Sequence, residues 1–146
     1  MIKIFDCSNS DERPNHRGHG GPIENDIIRY LKQYCSRYNC SFTEDVLKAD
    51  VIITNDIFPS SLIGIDIPKV KRMDGVFFQE ALKNRNDSLN YSAELADHVI
   101  FISEFSKNSF FNLYRGKDIK KHSVVLNRAD PRVFSHSEML LKNLPQ

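Results

Sequence analysis

The 146-residue sequence lacks any run of about 18 apolar residues, which excludes a transmembrane helix. It also lacks an excess of either charge. Twenty Lys and Arg stand against 19 Asp and Glu, a net charge of +1. A dedicated nucleic-acid-binding domain usually has a pI above about 9, so no nucleic acid is expected as a partner. At the start only residues 2–5 form an apolar stretch, too little for a secretory signal. Cysteine is scarce, and its count of three is odd, which does not suit a secreted disulfide framework. Cys7, Cys35 and Cys40 are therefore expected to be reduced thiols in a cytoplasmic protein. With His16 and His19 they supply metal-ligating chemistry. No pair has a zinc-type spacing such as C-x2-C, and no metal site is expected. What is present suits a folded domain: 40% hydrophobic and 27% charged residues exclude a disordered tail or a collagen-like rod.

Strand and helix patterns alternate along the chain. Residues 2–5 read as a first strand. A polar loop with Gly18, Gly20 and Gly21 follows over 6–22. Ile23, Ile27, Leu31, Tyr34 and Cys35 then fall at helical spacing. Residues 39–42 suggest a short strand. Residues 50–54 (DVIIT) form a continuous apolar run of the kind that suits a parallel strand covered on both faces. A helical turn is expected at 60–63 and a strand at 69–73. The segment 76–96 reads as helix, interrupted near 84–88, where Asn and Asp favour turns. Another buried strand is expected at 98–102, with Ser103 as the N-cap of the next helix and Glu104 in its first turn. Phe105, Ser109, Phe110, Leu113 and Tyr114 trace that helix's stripe. A last strand is expected at 123–126 and a short terminal helix at 138–144. The pattern implies right-handed βαβ units: an α/β, Rossmann-like three-layer sandwich with a mostly parallel sheet of ~5–6 strands.

Ligands of such sheets bind at the carboxyl ends of the strands. That rule selects the loops 6–22, 55–59, 74–78 and 127–130, together with Ser103. Gly20 and Gly21, just before a helix, allow a backbone to approach an anion closely. The G-x-G-x-x-G dinucleotide fingerprint is absent, and a simple turn is the equal alternative. Asp74 is able to bind hydroxyls or act as a base, against a plain Asp-Gly turn. Ser103 has no G-x-S-x-G context and reads better as a cap. His98 reads as a satisfied structural residue, Phe77-Phe78 and Phe110-Phe111 as core, and residues 117–121 as solvated surface.

The order of the pieces carries more. Arg72-Met73-Asp74-Gly75, Asn90, the run from Ala96 to Ser106 (ADHVIFISEFS), Val124-Val125-Leu126-Asn127 and the stretch from Asp130 to Phe134 follow one another. This order resembles the N-terminal half of family 4 glycosyltransferases, in which a strand reading ADxVIxxSxF precedes a helix, a strand and NGVDxxxF. Gly20-Gly21 before a helix also matches in place. The resemblance covers residues 2–134. Arg128 stands where the family has glycine, and Asp74 lies near a position that is histidine in many relatives.

The resemblance implies one half of a GT-B architecture: the acceptor-side Rossmann-like domain, over 1–134, of a retaining hexosyltransferase. Residues 135–146 would be a tail or the start of the crossover to a second, donor-binding domain, in cis or in trans. Relatives carry most of the nucleotide-sugar site and a two-glutamate motif in that domain, so this half alone is expected to be inactive. Its partners would be a nucleotide sugar, as substrate rather than cofactor, and a glycan or other hydroxyl acceptor, with no metal. By the same resemblance Gly20 and Gly21 would face the donor diphosphate and Asp74 would lie near the reacting sugar, as the catalytic candidate. His19, Arg72, Gly75, Ser103, Glu104, Asn127 and Arg128 would line the cleft. Two other readings stand beside it: a non-catalytic glycan- or partner-binding module of the same fold, and a flavodoxin-like domain that binds a phosphorylated ligand at the Gly-rich loop.

Overall fold

The computed structural model describes residues 1–7, 34–55, 57–114 and 119–126. Among these, six strands form one all-parallel sheet: β1 (Ile2–Asp6), β2 (Cys40–Phe42), β3 (Val51–Thr54), β4 (Lys69–Met73), β5 (His98–Phe101) and β6 (His122–Val124). Their spatial order is β2-β1-β3-β4-β5-β6. Two α-helices are described, α1 (Lys83–Leu95) between β4 and β5 and α2 (Glu104–Leu113) between β5 and β6. The chain has the α/β, Rossmann-like fold that its strand–helix alternation implies. Of the helix expected from Ile23 only Tyr34 and Cys35 are described, Cys35 opening a 3₁₀ turn; the rest of it, the terminal helix and the tail 135–146 lie outside the described residues.

The register sorts the side chains onto two faces, because register partners in a parallel sheet stand side by side. One face carries the row Ile52–Lys69, the row Thr54–Lys71–Val99–His122 and the row Met73–Phe101–Val124. Cys7 prolongs the middle row, its N–H donating to the Ile53 carbonyl at 3.1 Å. Both helices cover this face. Ala93 of α1 and Phe110 of α2 are fully buried against Met73, Val99 and Phe101. The rings of Phe101 and Phe110 stand 5.7 Å apart. Successive right-handed crossovers in one direction place both helices on the same side. On the other face Val51, Ile53, Val70, Arg72 and Ile100 are half-buried.

The alternation of Lys69 and Lys71 in KVKRM aims both lysines at the helix-covered face, and Lys71 is completely buried there. The Lys69 ammonium donates to the carbonyls of Ile65, at 2.5 Å, and Ile67, at 3.2 Å. Buried charge is tolerated where it is hydrogen-bonded in this way.

Two expectations are corrected here. The helix over 83–95 runs without a break through 84–88, preceded by a 3₁₀ turn at Glu80–Leu82, while residues 76–79 are not helical. Asn86 does not start a turn, because its amide reaches sideways to the loop before the helix, as described below. On α2 the five-residue stripe divides. Phe110 is buried, beside Ser106 from outside the stripe, whereas Phe105 and Leu113 face solvent.

Candidate functional site at the carboxyl ends of β4 and β5

β4 ends at Met73 and the chain must then leave the sheet. Asp74 follows, ion-paired to Arg72 at 2.9 Å; the Arg72 side chain is largely covered and the carboxylate remains open to solvent. Gly75 has φ 154°, a conformation that side chains rarely adopt. A Cβ there would stand 4.0 Å from the Ser106 Cβ, an ordinary contact, so the requirement for glycine lies in the backbone.

β5 ends beside β4. The Ile102 N–H donates to the Met73 carbonyl at 3.2 Å. Ser103 is extended and its Oγ accepts the Ser106 N–H at 3.0 Å, so it caps α2 as expected. The cap uses one lone pair of a hydroxyl that has an O–H and a second lone pair besides. Glu104 sits in the first turn, favoured by the helix dipole, and pairs with Lys107 one turn on. The buried Ser106 hydroxyl lies 3.3 Å from both the Met73 and the Ser103 carbonyls. It thereby ties the first turn of α2 to the end of β4. Arg72, Asp74, Gly75, Ser103 and Glu104 thus gather on two adjacent strand ends joined by one buried side chain.

Next to them lies an open cleft of about 540 Å³, between residues 76–80 and α2. Its loop is pinned by Asn86, which is almost wholly buried. The Asn86 Oδ1 accepts the Phe77 N–H at 2.8 Å, and its Nδ2 donates to the Phe77 carbonyl at 2.7 Å. This clamp presents Phe78 outward. Phe78 is 76% exposed and Phe105 70%, with ring centroids 6.3 Å apart and planes tilted by 49°. Ser109, Asn112 and Leu113 continue the lining from Phe105 along α2. Assigning Phe78 to the core is therefore incorrect, while Phe110 is core. The clue in the sequence was the spacing 105, 109, 112, 113, a second stripe beside the buried Ser106 and Phe110.

His19, Gly20, Gly21, Asn127 and Arg128 are outside the described residues. The switch point of the sheet, where strand order reverses, is between β1 and β3. Cys7 and Asn55 mark its rim. His98 holds the structural place expected of it, with Nε2 2.9 Å from the Ser123 hydroxyl. Among the described residues no group of three or more His, Cys, Asp or Glu side chains is arranged to hold a metal ion. No described helix is long and apolar enough to cross a membrane. No family model, curated protein or solved structure matches the chain.

Proposed function

We propose that this chain is the acceptor-side half of a retaining, nucleotide-sugar-dependent glycosyltransferase, and that the cleft beside β4 and β5 seats the acceptor. The observation that carries the reading is the convergence just described. Five residues that the family resemblance assigns to the cleft occupy two neighbouring strand ends, beside an exposed pair of aromatic rings. The chemistry of the place suits a hydroxylated ring. Asp74 offers carboxylate lone pairs, Ser103 a hydroxyl, and Phe78 and Phe105 apolar faces for the C–H side of a sugar.

In this reading the donor arrives on a second domain. Catalysis rests chiefly on stabilising the departing diphosphate by backbone N–H groups, for which Gly20 and Gly21 are the candidates. The sequence offers no obvious carboxylate pair for a double displacement, so Asp74 acts near the reacting sugar by charge and hydrogen bonding.

A glycan array probed with the labelled chain tests the reading. Binding to a defined subset of glycans is expected, with loss of signal in the Phe105→Ala and Asp74→Ala variants. An array without signal, or one on which both variants bind like the native chain, would count against it.

A second reading has a specific observation in its favour. The order β2-β1-β3-β4-β5 is that of flavodoxin-like sheets, with β6 added at the edge. Such sheets hold a phosphorylated ligand at the β1/β3 switch point. Tight binding of flavin mononucleotide, read by absorbance of the purified chain, would favour that reading over the first.

A further inference from the structure

Away from the cleft, at the β2 edge of the sheet, two thiols are brought together. Cys35 opens the 3₁₀ turn Cys35–Tyr38 and Cys40 opens β2. Between them Asn39 adopts a left-handed conformation, φ 52°, which asparagine tolerates better than most residues. The chain doubles back through this turn. The Cys40 thiol donates to the Cys35 carbonyl oxygen at 3.3 Å, which sets the two cysteines side by side across the turn. Cys35 is buried and Cys40 is half-buried.

We propose that Cys35 and Cys40 are an oxidation site that closes an intrachain disulfide across the Asn39 turn. A low-molecular-weight disulfide, RSSR, is the oxidant. The accessible Cys40 thiolate attacks one sulfur of RSSR, forming Cys40–S–SR and expelling RS⁻. The Cys35 thiolate then attacks the Cys40 sulfur, forming the Cys35–Cys40 bond and expelling the second RS⁻. The two cysteines together lose two electrons, which RSSR gains. Their two protons end on the two released thiolates.

Exposure fixes the order. Burial, reinforced by the Cys40 hydrogen bond and charge, pushes the Cys35 thiol up to about 11. Cys35 is thus the poor first nucleophile and the close second one. The bond would fasten the entry to β2, where the Ile2 N–H already donates to the Asn39 carbonyl at 2.9 Å. Cys7 serves as an internal control. It is buried on β1, five residues beyond the Ile2 that pairs with Cys40, or ~16 Å at strand rise.

The test incubates the full chain with oxidised glutathione, then alkylates it with iodoacetamide in denaturant and reads intact mass and peptide map. The expected product has lost two hydrogens and joins Cys35 to Cys40. It retains no glutathione and carries one alkyl group, on Cys7. The Cys35→Ser variant should instead keep one glutathione on Cys40. Three alkylated cysteines, glutathione retained on Cys40 of the native chain, or a bond that involves Cys7 would each overturn the proposal. The native chain alone decides the matter if the variant does not fold.

Discussion

The Asn86 clamp gives the most exacting check on how the cleft is built. In Asn86→Ala the Phe77 N–H and C=O both lose their partner, from bonds of 2.8 and 2.7 Å. Each hydrogen bond contributes about 1 kcal/mol net, and a buried group left unpaired costs ~1–3 kcal/mol. Phe77 is only half-buried, so water reaches part of the vacated site. The lower end of that range then applies, and the total loss should be about 2 kcal/mol. With an m-value of about 2 kcal/mol per molar urea, the unfolding midpoint falls by about 1 M. The Phe77 amide should also lose its protection against hydrogen exchange. The nuclear Overhauser contact between the Phe78 and Phe105 rings should vanish, because the loop no longer holds Phe78 in place. A midpoint within about 0.25 M of the native chain, with Phe77 still protected, would refute the claim that Asn86 organises the loop.

Three further outcomes follow from the same geometry. Ser103→Ala removes the cap of α2 and should cost about 1 kcal/mol, seen as a melting temperature lower by ~2–4 °C; an unchanged melt would show that the cap is idle. Gly75→Ala forces a side chain onto φ 154° and should cost ~1–3 kcal/mol through backbone strain alone, a cost that Ser106→Gly should not relieve, since the two Cβ atoms do not clash. Asp97 accepts the Lys69 N–H at 2.9 Å and pairs with Lys120 at 3.2 Å, and these partners, the backbone bond first, hold its carboxyl below the usual range. Its stabilisation is complete above the ordinary carboxylate pKa near ~4 and is lost as pH falls through the lower folded value. In Asp97→Asn, urea midpoints followed below pH 4 should therefore decline less steeply than in the native chain, and parallel acid limbs would contradict the assignment.

Much of the sheet was legible because each strand carries its own signal. VIIT, between Asp50 and Asn55, and HVIFI, between Asp97 and Ser103, are runs too short for helices and bounded by polar residues. The N-cap at Ser103 was legible for the same local reason: a hydroxyl, then an acid, at the end of a strand. What failed depended on contacts across the chain. The turn-forming residues at 84–88 sit on a continuous helix, since Asn86 spends its amide on Phe77 nine residues earlier. Phe78 looked like core because aromatic residues usually are, and only the clamp and the turn at Gly75 put it outside. Nothing local marks Lys71 as fully buried, because an alternating Lys pattern reads equally well as a solvent face. Ser106 carried no signal either. Its importance comes from the juxtaposition of α2 with the end of β4, which is a property of the topology.

The central claim is that the ends of β4 and β5 receive a hydroxylated acceptor ring. Its most direct test is a two-dimensional ¹⁵N–¹H spectrum of the labelled chain, titrated in turn with maltose, lactose and cellobiose. Saturable shifts confined to Gly75, Phe77, Phe78, Ser103 and Phe105 are expected with at least one of these sugars. Spectra unchanged by all three, or shifts centred instead on Cys7 and Asn55 at the switch point, would contradict it.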